Sequence, residues 1–213
     1  FHAQAEQGLT RSALTSFMQE VQDGSTIIER NLIRAAELIR SFKQLAVDQT
    51  SYQRRRFNLR ELTSEITLTL HPTVRKTPYQ LLDQTPDALM LDSYPGPLGQ
   101  VLINLINNSL IHGFEGRAQG TITLSAELSQ DKKTASVRLH DDGVGIPTKN
   151  LKKIFDPFFT TKLGQGGSGL GLHITYTLVT GLLGGKIEVR SQENTGTTFI
   201  ISLPVIAPTA APL

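Results

Sequence analysis

The sequence predicts an α+β fold: a two-layer sandwich of helices over a mixed, largely antiparallel sheet, preceded by one long coiled-coil-like helix. Three observations predict it. Segments of helical period and segments of strict alternation interleave without the regular βαβ order of a doubly wound sheet. The alternating segments pair across polar turns, residues 121–128 with 135–139 around 129–133, and 185–190 with 197–203 around 192–196. Ahead of both, a single heptad seam fills residues 12–47.

That seam runs Leu14, Met18, Val21, Ser25, Ile28, Leu32, Ala35, Ile39, Phe42 and Ala46, spaced alternately four and three. An unbroken helix of this length spans roughly 54 Å at 1.5 Å per residue. Gly24, with Ser25 and Thr26, weakens the middle, so two helices meeting near Asp23 is the competing reading. A lone helix cannot bury its stripe against itself; it needs an upstream segment, a second copy of the chain, or both. Residues 49–56, with Arg54, Arg55 and Arg56, read as a basic, solvated linker. A short strand at 57–59 and a helix over 59–70 follow, punctuated by His71-Pro72 and Thr77-Pro78. Short strands are predicted at 79–83 and 88–91, and Pro95-Gly96-Pro97 leads into a helix over 100–113. Beyond the first hairpin lie a glycine-rich region at 141–171, a helix over 170–182 and the second hairpin. Residues 205–213, rich in proline and alanine, are predicted to be a disordered tail.

With 213 residues and 38% hydrophobic content, one domain and an appendage are expected. The net charge of +2, from 21 basic and 19 acidic residues, provides no overall field that demands nucleic acid or an anionic membrane. Zero cysteines excludes disulfides, thiolate metal sites and a cysteine nucleophile, and fits a reducing, cytoplasmic setting. No apolar run approaches the ~20 residues of a membrane span and no signal peptide opens the chain. Without an initial methionine, the chain reads as a piece of a longer protein whose membrane contact, if any, lies outside it.

In the helix over 100–113, Val101, Leu102, Leu105, Ile106 and Ser109/Leu110 mark the face made to be buried. Asn104, Asn108 and His112 fall four apart on another stripe, joined by Asn107. Asparagine is a mediocre helix former, so the row is either a solvated polar face or a set of donors for a hard cation and an anionic ligand. Asp141-Asp142-Gly143-Val144-Gly145-Ile146-Pro147 is a strand-end turn that can also bring backbone and a carboxylate against a flat ligand. Five glycines in the eight residues 164–171, ahead of a helix, give amides at a positive helix end that suit phosphate oxygens. They match neither a Walker loop nor a dinucleotide fingerprint. Between the clusters, Phe155, Phe158 and Phe159 read as core or as anchors of a loop that opens and closes, with Lys162 as a phosphate contact.

These boxes, in order from Asn104–His112 through Asp141–Gly145, 155–162 and 167–171 to Gly196-Thr197-Thr198-Phe199, resemble the nucleotide-binding domain of sensor histidine kinases of two-component systems. That domain belongs to the GHKL ATPase superfamily. The resemblance covers about residues 57–204. The seam at 12–46 is similar to the second helix of the family's dimerization and histidine-phosphotransfer domain, which assigns residues 1–48 to that region and 49–56 to the linker.

The resemblance implies that ATP and magnesium bind here, with Asn108 on the metal, Asn104 a turn earlier in the pocket and His112 near the phosphates. Asp141 would accept the adenine amino group, and Gly143, Gly145 and Ile146 would border the purine. Thr197 or Thr198 would close the adenine end through water. Phe155, Phe159, Thr161, Lys162, Gly167, Ser168, Gly169, Leu170, Gly171 and Leu172 would form or flank the lid, and residues 164–168 are expected to order on binding ATP. Implied partners are a response-regulator receiver domain and a second copy of the chain, paired through the helical region. The family's acceptor histidine lies in a His-Glu/Asp-x-x-Pro-like box, and none of His2, His71, His112, His140 or His173 is followed by that pattern. The chain is therefore expected to bind ATP without phosphorylating itself. Two rivals remain open. ATP-hydrolysing relatives carry a glutamate general base where Asn104 stands, and asparagine cannot serve as a base at neutral pH. A nucleotide-binding dimerization scaffold is the second.

Overall fold

The computed structural model describes residues 10–47, 53–162 and 169–209, and for 30, 33, 34 and 36–47 it describes backbone alone. The chain forms two compact units that divide within the first helix, after Lys43.

In the first unit, α1 (Arg11–Val47) is one continuous helix. Thr10 caps it, its Oγ1 accepting from the Ala13 amide at 3.3 Å. The break considered near Asp23 does not occur. Ser25 and Thr26 turn their hydroxyls back onto the carbonyls of Val21 and Gln22, both at 2.8 Å, so these side chains bond within the helix rather than capping a break at Gly24. Leu14, Met18, Val21, Ile28 and Leu32 of the seam are exposed. Ile39, Phe42 and Ala46 lie outside the described side chains.

The second unit is built on two sheets. β1 (Arg55–Asn58) pairs antiparallel with β3 (Met90–Ser93). The main sheet has five strands in the order β2-β4-β5-β7-β6. These are β2 (Tyr79–Gln84), β4 (Gly120–Leu128), β5 (Thr134–Asp141), β6 (Lys186–Gln192) and β7 (Gly196–Pro204). Among the named strands only β2 and β4 run parallel, because β3 and α3 (Pro95–Asn108) cross over between them; every other strand pair is antiparallel. The helical layer comprises α2 (Leu59–Val74), α3 and α5 (Gly171–Thr177), and α4 (Thr148–Leu151) is a single turn beyond the glycine bend. One continuous core joins the layers, with Leu98, Leu102, Leu105 and Ile106 of α3 meeting Ile122, Leu124 and Leu139 of the sheet.

Several boundaries differ from expectation for physical reasons. Arg55 and Arg56 belong to β1 rather than to a linker, because Phe57 anchors that strand in the core. Residues 49–52 of the expected linker lie outside the described residues. α2 continues past Pro72 to Val74: a proline in the last turn removes one donor, and the His71 carbonyl still accepts from the Arg75 amide at 2.9 Å. The second short strand is Met90–Ser93, not 88–91. Both site helices change register before they end, α3 into a π turn over Ser109–Gly113 and α5 into another over Leu178–Leu182. The expected disordered tail is ordered through Thr209. Val205 O accepts from Asp92 N and Asp92 O from Ala207 N, both at 2.8 Å, and Tyr94 Oη donates to Pro208 O at 3.1 Å. Burial of Ala207 explains why composition misled here; residues 210–213 lie outside the described residues.

Candidate functional site

The site lies where the C-terminal half of α3, the end of β5 and the start of α5 meet. Buried Leu105 and Ile106 fix the rotation of α3, and that turns the asparagine stripe toward α5. Asn104 is tied at both ends of its amide. Its Oδ1 accepts from Gln100 Nε2 at 2.9 Å and its Nδ2 donates to the Gly171 carbonyl at 3.3 Å. It therefore clamps α3 to α5. Asn108, one turn on, has its Nδ2 buried without a partner among the described residues, and a Cβ on Gly171 would sit 4.0 Å from its Oδ1. A buried amide with an unused donor is costly unless a ligand completes it.

The residues after Asn108 deliver the next two contacts. Ser109, 2% exposed, donates its hydroxyl to Asp141 Oδ2 at 2.9 Å. The Ile111 carbonyl, left outside the α ladder at the helix end, accepts from Lys162 Nζ at 2.6 Å. Lys162 also pairs with Glu115 at 3.3 Å. Burial, reinforced by the Lys162 ammonium and opposed by Glu115, holds the His112 imidazole below its ordinary value, so it is neutral at pH 7.

Asp141 ends β5 and is 2% exposed. Burial pushes its carboxyl above the ordinary carboxylate range, against the hydrogen bonds from Ser109 and from the Gly143 amide at 3.2 Å to Oδ1. The glycines after it serve a purpose different from the expected one. A Cβ on Gly143 would lie 2.0 Å from the Gly113 carbonyl oxygen, and one on Gly145, at φ +72°, 2.2 Å from the Gln192 carbonyl oxygen. Both places are filled by the chain's own backbone, so these glycines pin the turn against its neighbours. Ile146 is fixed by its amide, which donates to Ser191 Oγ at 2.8 Å. Ser191 donates in turn to Gly196 O at 2.9 Å and lies 3.0 Å from Thr197 Oγ1.

Strand alternation separates the two threonines. Thr197 is buried beside Asp141, its register partner, whereas Thr198 faces the other side of the sheet, 2.9 Å from His140 Nδ1. Thr198 is not part of the pocket. Phe155 and Phe159 pack against the core; Phe155 stacks on Tyr176 at 5.4 Å, and its carbonyl accepts from His173 Nδ1 at 3.1 Å. Phe158, at φ +68°, donates its amide to Gly169 O at 2.9 Å, and a Cβ on Gly169 would collide with Phe158 backbone at 2.5 Å. Leu170 is buried at the entrance to α5, Leu172 packs on the core and Thr161 is exposed. Gly167 and Ser168 lie outside the described residues, as does the segment 164–168 expected to order on ATP.

Sequence reasoning missed Ser109, Ser191 and Arg117. Arg117 Nη2 donates to the carbonyls of Gly143 (3.0 Å) and Asn194 (3.1 Å), bracing both flanks of the glycine turn. Ser191 was accessible, since the hairpin register that pairs it with Thr197 is readable from the turn between them. The spacing of Ser109 put it on the buried face of the helix, but no local pattern shows the carboxylate it meets there.

The sequence profile described as histidine kinase-, DNA gyrase B-, and HSP90-like ATPase matches residues 94–207, over half of the chain and every part of this site. The chain belongs to this ATPase family. Among curated relatives, the autoinducer 2 sensor kinase/phosphatase LuxQ of Vibrio cholerae is 31% identical over 183 residues, covering 82% of this chain and 21% of that protein. Sporulation kinase A of Bacillus subtilis is 30% identical over 184 residues, covering 84% of this chain and 28% of that protein. The chain thus spans between a fifth and a third of the length of these relatives. Among solved structures, the nucleotide-free catalytic domain of histidine kinase ThkA superposes with a TM-score of 0.64 at 33% identity, covering 72% of this chain and 97% of that one. The second unit is a GHKL-type catalytic domain of the sensor kinase kind, with the mixed sheet packed under helices that this implies.

Proposed function

We propose that the chain is the ATP-binding catalytic part of a two-component sensor histidine kinase. It transfers the γ-phosphoryl group of ATP to a histidine nitrogen on a helical hairpin, for relay to a response-regulator receiver domain. The observation that carries this reading is the placement of two groups on either side of Ser109: the Asn108 amide, whose buried Nδ2 has no partner among the described residues, and the buried Asp141 carboxyl, raised by that burial. Asp141 accepts from the exocyclic amine of adenine, and Thr197 closes that end.

The donors present fit a magnesium ion carried in with the nucleotide. Among the described residues no group of three or more His, Cys, Asp and Glu is placed to hold a metal. Magnesium that arrives on phosphates needs few protein ligands, and a neutral amide oxygen such as Asn108 Oδ1 suits it. Bound there, the ion would neutralise charge developing on the β- and γ-phosphates. Asn108 Nδ2 is left to donate to a phosphate oxygen, Lys162 exchanges its contacts at Ile111 and Glu115 for the phosphates, and neutral His112 lines the same end without adding charge. Both ends of the Asn104 amide are engaged, which supports phosphoryl transfer over hydrolysis, since no carboxylate stands there to activate water. The exposed seam of α1 supports pairing of two copies through the helical region.

Incubation with γ-labelled ATP, magnesium and a supplied two-helix hairpin bearing a His-Glu-x-x-Pro box tests this. The expected product is an acid-labile, base-stable phosphohairpin, lost with Asn108→Ala. Transfer that survives Asn108→Ala would remove the metal assignment. Release of free phosphate at the same rate with and without the hairpin would favour an ATP-hydrolysing role.

A further inference from the structure

Asp141 is boxed rather than merely buried. A Cβ on Gly113 would lie 3.2 Å from its Oδ1, and one on Gly143 2.8 Å from the same atom. Oδ1 already accepts from the Gly143 amide at 3.2 Å, and Oδ2 from Ser109 at 2.9 Å. Backbone on two sides and a hydroxyl on a third leave the carboxylate one orientation. Ser109 has helical backbone (φ −63°, ψ −43°) with its amide still donating to Leu105 O, so it stays on the buried face of α3 beside Leu105 and Ile106. The same helical turn therefore sets the amide on the phosphate side and the hydroxyl that orients the acceptor on the base side.

We propose that Ser109 is a positioning residue for purine recognition, its hydroxyl holding Asp141 Oδ2 so that the carboxylate faces an exocyclic amine of the bound base. This rests on the reading of Asp141 as the adenine acceptor. Serine at 109 thus tunes selectivity for the base without touching it. The bond also favours the ionised carboxylate, offsetting the burial that raises it, and an ionised acceptor is the form that receives an amine hydrogen bond.

The test compares two probes on the whole chain with magnesium present: ATP, and purine riboside triphosphate, which lacks the 6-amino group. Ser109→Ala is expected to weaken ATP about tenfold, the scale of one hydrogen bond to a charged group, and to change the deaminated nucleotide less than about twofold. Ser109→Thr, which keeps the hydroxyl, restores the preference for ATP. Should Ser109→Ala reduce the folded fraction, the near-isosteric Ser109→Cys, a weak donor, carries the same comparison with the same expected direction. Equal weakening of both nucleotides, or an alanine variant that keeps the wild-type preference, overturns the assignment. A wild-type chain that binds both nucleotides equally, with Asp141→Asn indifferent to ATP, overturns the adenine reading and the role of Ser109 with it. If Asp141→Asn loses the preference while Ser109→Ala keeps it, the role of Ser109 alone fails.

Discussion

Asp141 is a buried carboxylate whose ionised form is disfavoured by that burial. Its carboxyl is raised by burial in the folded state, so the fold holds this proton to higher pH than the unfolded chain does. The sign follows: this group's contribution is favourable below the ordinary carboxylate range and is lost as pH rises through the folded value, leaving a penalty at neutral pH. Asp141→Asn is therefore expected to melt a few degrees higher at pH 7 while binding ATP at least tenfold more weakly, with the stability gain shrinking in acid; calorimetry at pH 7 and pH 4 checks both. Much of this scale was legible in the sequence. Asn108 and Asp141 were singled out by residue type, and Thr197 could have been separated from Thr198 by alternation, because it shares a face with buried Phe199, Ile201 and Leu203. The burial of Ser109 was legible from its helical spacing, but its contact was not, because the carboxylate it meets stands at the end of a strand distant in sequence.

At the scale of elements, the glycine turn after β5 is a wedge between the loop at Gly113 and the β6–β7 hairpin. Gly145→Ala combines positive φ with a backbone collision and is expected to cost about 3 kcal/mol in denaturant unfolding. The C-terminal strap is the second element whose role composition concealed. Proline and alanine suggest disorder when counted, yet residues 205–209 lie along β3, with an Asp92–Ile206 bridge. Arg54 holds the same Asp92 through two 2.9 Å contacts, so the entry and exit of the catalytic unit share one carboxylate. Ending the chain after Pro204 uncovers β3 and is expected to remove about 2 kcal/mol, read as a lower urea midpoint. Hydrophobic pattern located the strands, but their ends were set by pairing partners distant in sequence: β5 runs on to Asp141 because Ile122 and Thr197 meet it there.

For the whole molecule, the α+β class and the strand-pairing hairpins followed from sequence. The parallel β2–β4 contact did not, because it depends on a crossover that no local pattern encodes. The second unit contains its own core, so a chain beginning at residue 53 is expected to melt within a few degrees of the full chain and to keep its affinity for ATP; a melting curve and one titration check this. The most direct test of the ATP site is calorimetric titration of the intact chain with ATP, with and without magnesium. Saturable one-site binding is expected, strengthened by magnesium, with Asn108→Ala erasing the magnesium effect and Asp141→Asn weakening binding in either condition. Absence of binding, or binding indifferent to magnesium and to both substitutions, would contradict it.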